Sequence, residues 1–274
     1  MKMAIIITDS TSDLTYDDTS KLGIEMLPLT VNFGEEHYKD KVTLSNEEFY
    51  GKLESCEEIP TTSLLNPADF LELFEQHENE EIIVITLSHR LSGTYQSAMI
   101  AKDMCEREDI YIIDSGTVTI PLGLLVKVAS QLNAEGKKAE EIVARIEELK
   151  GKVRIVAVID TLKYLIKGGR LSNVQGAIGT ALRLKPIICI RDGEIITLNK
   201  VRGTKAAFKE VLNIIQSDGE VDESLPISFA HSNHEAMVND FKSNIPFAGE
   251  TYMIGSVVGT HAGPGAVAIA YFVK

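Results

Sequence analysis

A glycine-rich stretch near the end of the chain carries the side chain best suited to acid–base or anion chemistry. Three glycines surround the pair Thr260-His261 within residues 259–265, and apolar residues precede and follow the stretch. Glycines let the backbone and the imidazole approach another group closely, where a larger side chain would obstruct contact. The stretch exceeds what a hairpin turn requires, so the first hypothesis is a ligand site in which His261 donates to an anion or acts as a base. The alternative is an ordinary Gly/Pro loop with an incidental histidine.

Ser92 is a second candidate, because it stands directly before Gly93 and a run of residues with helical spacing. A hydroxyl at a helix N-terminus lies beside free backbone N–H groups and the positive end of the helix dipole, so it can help to bind an anion. The alternative, of equal weight, is that Ser92 only caps its own helix.

Thr61, Thr62 and Ser63 form a third polar group in a predicted loop, although such Ser/Thr turns also occur without a ligand.

Metal binding is not predicted. His231 and His234 are spaced for one helix face, but no Cys or carboxylate pattern completes a site. The segment 9–13 is too short for a calcium loop. The three isolated cysteines form no CxxC motif, which favours a reduced cytoplasm.

The elements that must position these residues alternate between strand and helix in the first half of the chain. Short, β-branched apolar runs predict strands buried on both faces, and capping residues or a first-turn proline predict the intervening helices. This pattern indicates an α/β unit with a largely parallel sheet. The predicted strands are residues 4–8, 82–87 and 110–113. Two predicted helices start at residues 45 and 66, and two further helices span residues 121–136 and 139–150.

Small polar residues follow each of these three strands. Thr8-Asp9-Ser10 follow the first, Ser88 the second and Asp114-Ser115 the third. Ligands of open parallel sheets bind beyond the carboxyl ends of the strands. We therefore expect these segments to meet at one edge of the sheet.

The second half of the chain predicts a different unit. Asp192-Gly193 between two apolar runs is a strong hairpin signal. A helix stops at Gly151, so we predict two domains, residues 1–152 and 153–274. The other predicted elements are strands 154–159 and 227–230, helices 162–167, 204–217 and 233–241, and a helix of small residues at 174–182.

Composition and charge narrow the class of protein. The chain has 274 residues, of which 44% are hydrophobic and 24% charged, and it shows no signal peptide and no apolar run of membrane-spanning length. We expect a soluble cytoplasmic protein. The net charge of −13 argues against nucleic-acid binding. A basic block between Lys163 and Lys209 carries ten Lys/Arg against two acids and indicates an anionic ligand or an acidic partner, or simply a solvated basic surface.

Taken together, these segments resemble the DegV family of fatty-acid-binding proteins over essentially the whole chain. Each motif is weak alone, and their order along the chain is specific. The matching segments are Thr8-Asp9-Ser10 with Asp13, Thr62-Ser63, Leu91 to Ala98, Asp114-Ser115, Leu162 to Leu165, Gly168 to Ser172, Lys185-Pro186-Ile187 and Gly259 to Gly265.

The resemblance implies two α/β domains that bury one long-chain fatty acid between them. Such a protein is the non-catalytic lipid-binding subunit of a bacterial fatty acid kinase. A separate ATP-dependent kinase subunit phosphorylates the bound carboxylate, and the acyl phosphate enters phospholipid synthesis. The resemblance implies no further cofactor and no integral membrane segment, and it allows transient contact with a membrane.

The resemblance also assigns residues. It gives Thr62, Ser63, Ser92, Gly93 and His261 to the carboxylate, and it gives Arg170 and Arg202 to the partner or phosphate side. The family usually continues Thr-Ser with a polar residue and proline, whereas this chain has Leu64-Leu65-Asn66-Pro67. That departure leaves the role of Ser63 open.

Two other classes of function compete with lipid binding. A serine hydrolase could use Ser92, His261 and either Asp9 or Asp114, but Ser92 lacks a Gly-x-Ser-x-Gly elbow. A Rossmann-type nucleotide or phosphate-sugar binder would need a glycine-rich phosphate loop after the first strand, and the sequence has none there.

Overall fold

A computed structural model of the chain describes residues 3–171 and 184–274. The described strands are β1 (Ile5–Asp9), β2 (Ile24–Leu27), β3 (Thr30–Phe33), β4 (Glu36–Lys39), β5 (Thr61–Ser63), β6 (Ile82–Thr86), β7 (Ile110–Asp114), β8 (Val153–Val158), β9 (Leu184–Arg191), β10 (Glu194–Arg202), β11 (Ser228–His231), β12 (Glu250–Met253) and β13 (Val267–Phe272). The described helices are α1 (Tyr16–Leu22), α2 (Asn46–Ser55), α3 (Pro67–Gln76), α4 (Thr94–Cys105), α5 (Ile120–Ala134), α6 (Ala139–Lys150), α7 (Lys163–Lys167), α8 (Thr204–Asp218), α9 (Glu235–Ser243) and α10 (Ser256–Ala262).

Three sheets organise these elements. The first is wholly parallel, in the order β2-β1-β6-β7. The second has six strands in the order β10-β9-β8-β13-β11-β12 and is antiparallel except for the β11–β12 pair. A small antiparallel sheet, β4-β3-β5, adjoins the first. The predicted α/β class with a parallel first sheet is confirmed.

Helix α5 joins the two larger sheets into one core. It is apolar on nearly all sides and almost entirely buried, which is typical of a helix with neighbours all round. Its side chains share one apolar cluster with the first sheet (Ile6, Ile83) and with the second (Ala157, Ala268). The opposite face of the second sheet packs separately against α8 and α9.

The polar segments after the parallel strands do meet at one edge, as expected. The buried carboxylate of Asp9 accepts hydrogen bonds from the backbone N–H of Thr11 (3.0 Å) and of Leu87 (2.8 Å). Ser88 donates from its backbone to Thr117 O (2.7 Å). These bonds tie the carboxyl ends of the strands together and form one wall of the space between the two larger sheets.

Two local predictions are wrong. Residues 61–63 form strand β5 rather than a loop, and residues 259–262 belong to helix α10 rather than to a glycine-rich loop. Strands β2 to β4 were not predicted, because they are short and partly exposed. The hairpin at Asp192-Gly193 and helix α6 are confirmed. The predicted helix of small residues at 174–182 lies outside the described residues.

Gly259 lets α10 approach α2 closely. A Cβ at this position would stand 2.6 Å from Phe49 Cε1 and 2.8 Å from Tyr50 Oη, and both of these side chains are fully buried. Such distances force buried atoms to move. Helix α10 therefore depends on the absence of a side chain at residue 259.

We predict that Gly259→Ala lowers the free energy of unfolding by about 1–3 kcal/mol, because overpacking outweighs the gain in helix propensity. Gly51→Ala in α2 is the matched control: no described atom lies within 4 Å of its Cβ position, and the change should be neutral or stabilising. Urea denaturation of the three proteins measures both effects. Equal stability of the two variants would contradict the packing argument.

Candidate ligand-binding site

A cavity of about 170 Å³ lies between the two larger sheets. Most of its described lining is apolar. The second sheet contributes one face, where alternate residues of each strand point the same way: Ile155, Ala157 and Ile159 from β8 and its end, Ile188 and Ile190 from β9, and Ala268 from β13.

Six of the seven residues singled out from the sequence line this cavity. They come from four separate segments of the chain, which the fold brings together: Thr62, Ser63, Ser92, Gly93, Arg170 and His261. Arg202 does not line it. It is exposed at the end of β10, opposite Leu184.

The Thr62 hydroxyl and His261 Nε2 are 3.0 Å apart. Strand β5 places Thr62 opposite the buried Val31, so its side chain faces the cavity. Helix α10 brings His261 to the same point. No hydrogen-bond partner for His261 Nδ1 lies among the described residues, although this atom is buried. The imidazole therefore retains hydrogen-bonding capacity at the cavity.

Burial makes this imidazole a weak base. Loss of solvation on burial and, to a smaller extent, the positive charge of Arg170 together lower the pKa of His261 to about 4. Gly168 permits the burial, because a Cβ at that position would overlap His261 Nδ1. In the absence of an anion, His261 is neutral at physiological pH.

Ser92 lies one residue before the helix cap. Helix α4 begins at Thr94, with Gly93 in the cap position, so the prediction that Ser92 is the N-cap is off by one residue. The Ser92 hydroxyl accepts from the backbone N–H of Thr94 (3.3 Å) and lies 3.0 Å from the Thr94 hydroxyl. The N-terminal end of α4 thus meets the cavity at Ser92 and Gly93.

The side chain of Ser63 is engaged elsewhere. Its hydroxyl accepts from Asn32 Nδ2 (3.0 Å), which also lies 3.4 Å from the Thr61 hydroxyl. In a strand, neighbouring residues point to opposite faces. Ser63 and Thr61 therefore share the face opposite to that of Thr62.

Arg170 supplies the positive charge nearest to His261. Its guanidinium donates to Leu91 O (3.2 Å) and to Gly168 O, which fixes it between the segments that carry Ser92 and His261. Among residues 3–171 and 184–274, no carboxylate forms an ion pair with it. Within this part of the chain, its charge is therefore not neutralised by a carboxylate.

Two buried carboxylates hold the opposite end of α10, and this role was not predicted for either of them. Asp13 accepts from the backbone N–H of Gly255 (2.8 Å), and Asp40 accepts from that of Ser256 (3.1 Å). Negative charge at a helix N-terminus is favourable. Burial nevertheless raises the pKa of Asp13 to about 6, against the opposing effect of Lys41. Asp13 belongs to a predicted motif, whereas nothing in the sequence distinguished Asp40.

The groups needed by a serine hydrolase are not assembled. The Ser92 hydroxyl contacts Thr94, and His261 Nε2 contacts Thr62. Of the two proposed acids, Asp9 accepts from Thr11 and Leu87, and Asp114 pairs with His89. The described residues therefore contain no Ser–His–Asp relay, and the hydrolase alternative is not supported.

Comparison with known proteins agrees with this geometry. The sequence model described as "Uncharacterised protein, DegV family" matches residues 3–274. The chain belongs to the DegV family. A DegV domain-containing protein of Caldanaerobacter subterraneus is 37% identical over 278 residues, which cover 99% of each chain.

Solved DegV structures share the whole fold. The crystal structure of DegV from Bacillus subtilis, described as a fatty acid binding protein, is 31% identical, with a TM-score of 0.86 and full coverage of both chains. A DegV-family protein from Ruminococcus gnavus, solved with vaccenic acid, is 25% identical with a TM-score of 0.86, covering 97% of this chain and 99% of that one.

In this DegV chain, Leu64 directly follows strand β5 and its polar residues. Leu64 is 47% exposed and lines the cavity beside Gly93, where an added Cβ would stand 3.0 Å from its Cδ2. The apolar side chain therefore lies at the rim, next to the start of α4. No helix in the described part of this DegV protein is long and apolar enough to cross a membrane.

We predict that acid destabilises the wild type relative to His261→Gln. Because the pKa of His261 is about 4 in the folded protein and about 6.5 when unfolded, the unfolded chain binds more protons between these values. The stability of the wild type therefore falls as the pH is lowered through this window, by at most about 3 kcal/mol from this group.

Unfolding free energies of both proteins near neutral pH and near pH ~4.5 measure the difference, since all other titrating groups are common to the two. A constant difference between the proteins across the window would contradict a buried, neutral His261.

Proposed function

We propose that this DegV-family protein binds a long-chain fatty acid, with the carboxylate at Thr62, Ser92, Arg170 and His261 and the tail in the apolar cavity. The observation that carries the proposal is the unequal distribution of polar groups around the cavity. Thr11 and Thr119 also line it, but their hydroxyls donate to Asp9 (2.5 Å) and Asp13 (2.5 Å). The hydrogen-bonding capacity that remains is concentrated around His261.

The chemistry of that cluster suits a carboxylate. Hydrogen bonds to an ionised acceptor are about twice as strong as neutral ones. Arg170 provides charge, and Thr62, Ser92 and the start of α4 provide neutral donors. A carboxylate beside His261 favours the imidazolium, so binding should raise the pKa of His261 from its low value.

The tail provides most of the affinity. Burial of roughly fourteen methylenes at ~0.8 kcal/mol each gives an upper limit of about 11 kcal/mol, before the costs of association and ordering. The polar cluster then fixes which end of the ligand lies near His261. DegV from Bacillus subtilis is described as a fatty acid binding protein, and the DegV-family protein from Ruminococcus gnavus was solved with vaccenic acid. Both relatives support the same ligand class for this chain.

We predict that Thr62→Val and Ser92→Ala each weaken oleate binding about tenfold to one-hundredfold, since each removes a hydrogen bond to a charged group. Thr61→Val is the matched control: it lies next to Thr62 on the opposite face of β5 and should bind as the wild type does. Displacement of a fluorescent fatty acid measures all four affinities. Equal affinities for Thr62→Val and Thr61→Val would contradict the assigned carboxylate site.

We further propose that the protein is non-catalytic and presents the carboxylate to a separate ATP-dependent fatty acid kinase subunit in the cytoplasm. The basic block supports a docking role, because it contrasts with the net charge of −13 of the whole chain. Arg202 is exposed and remote from the cavity lining, so it is suited to contact a partner rather than the lipid.

The same proposal divides the chain into two domains, residues 1–152 and 153–274. The last strand of the parallel sheet ends at Asp114, and the first strand of the six-stranded sheet begins at Val153. The fatty acid would then lie between the domains.

We predict that Arg202→Glu impairs formation of acyl phosphate by the kinase subunit and leaves fatty acid affinity unchanged. Arg145→Glu, at a partly exposed site in α6 outside the basic block, is the control for the change in net charge. The initial rates of acyl phosphate formation and the oleate affinities of both variants separate a role in docking the kinase subunit from a role in binding the fatty acid. Loss of oleate binding in Arg202→Glu, or equal rates for the two variants, would contradict a docking role for Arg202.

A further inference from the structure

Strands β8 and β9 pair over only part of their lengths. Residues Val156–Val158 pair with Ile187–Cys189, but the start of β8 continues beside β13 alone and the end of β9 continues beside β10 alone. In an unbroken antiparallel ladder, the next pair would be Ile155 with Ile190. Among the described residues, the pairing of β8 with β9 therefore stops before these two residues, and we call this place the opening.

A second cavity, of about 910 Å³, lies at this opening. Its lining comes from both faces of the second sheet: Glu210 and Asp218 belong to α8 on one face, and Asp114 and Thr117 belong to the edge of the first sheet on the other. Ile155, Cys189 and Ile190 line this cavity and the apolar cavity alike. The two cavities thus adjoin where the sheet is open.

The two cavities differ in chemistry. The apolar cavity suits methylene groups, whereas charged and polar side chains dominate the described lining of the second: His89, Asp114, Lys150, Arg154, Arg191 and Asp218. An acyl chain that passed from the apolar cavity into the second cavity would leave an apolar environment and enter a hydrated one.

The opening lies away from the Thr62–His261 pair. His261 precedes β13, whose start pairs with the end of β8 at Val158, and Ile155 lies three residues closer to the start of β8. At ~3.3 Å per residue, Ile159 and Ile155 are about 13 Å apart along the strand. An acyl chain whose carboxylate contacts His261 therefore runs toward the opening.

Resting on the fatty-acid function proposed above, we propose that the tail cavity is open-ended at Ile155 and Ile190. The protein then accepts acyl chains longer than the apolar cavity, and long chains that end in a polar group. In this proposal, methylenes beyond Ile155 and Ile190 lie in the hydrated second cavity, where they gain nothing from burial, so they neither strengthen nor weaken binding.

The test is the affinity of the wild type for saturated fatty acids from dodecanoic to docosanoic acid, each with its ω-hydroxy analogue. Affinity should rise about fourfold per added methylene while the chain remains in the apolar cavity, then stay within about threefold up to docosanoic acid. The ω-hydroxyl should weaken dodecanoic acid strongly, because it is buried without a partner, and leave docosanoic acid unchanged.

Ile190→Phe should close the opening, so that the affinity for docosanoic acid falls at least tenfold more than the affinity for tetradecanoic acid, each relative to the wild type. Ile196→Phe is the control, since Ile196 lies on β10, pairs with Cys189 of β9 and is not among the lining residues of either cavity. A wild-type affinity that falls tenfold or more between hexadecanoic and docosanoic acid would overturn the open end, even if Ile190→Phe fails to fold. Identical series for the two variants would also overturn it. Failure of every fatty acid to bind the wild type would instead refute the proposed function.

Discussion

The contact between Thr62 and His261 is the interaction on which the site depends, and it joins residues 199 positions apart in the sequence. Helix α10 can bring His261 to that contact only because both ends of the helix are fixed. Asp13 and Asp40 hold its N-terminal backbone groups, while Gly168 allows the imidazole to pack against the turn after α7. The site is thus assembled by buried polar contacts between the first and last parts of the chain.

The same arrangement explains why His261 is neutral before a ligand arrives. A buried imidazolium beside Arg170 would carry an uncompensated charge, and the low pKa avoids it. A carboxylate changes this balance, because it brings the missing negative charge into the site. The apolar cavity next to the cluster then accommodates the apolar tail of the ligand, whose exposure to water is unfavourable. Under the proposed function, one end of a fatty acid satisfies the charge of the site, and the other is matched by its apolar lining.

Much of this could be predicted from the sequence. Buried strands at 82–86 and 110–114 follow from continuous apolar runs, and the family motifs named Thr62, Ser92 and His261. The helical state of residues 256–262 could not be predicted, because Gly259 disfavours a helix locally and the stabilising contacts come from Asp13, Asp40 and the aromatic side chains of α2. The opening between β8 and β9 is equally a property of register, which the sequence of either strand alone does not reveal.

The most direct test of the central claim is native mass spectrometry of the purified, folded protein, followed by analysis of its organic extract. The account predicts one long-chain fatty acid per chain, released on denaturation and recovered in the extract. A protein that carries no fatty acid, and that also fails to take up added oleate or palmitate, would contradict the claim that the cavity beside Thr62 and His261 is a fatty acid site.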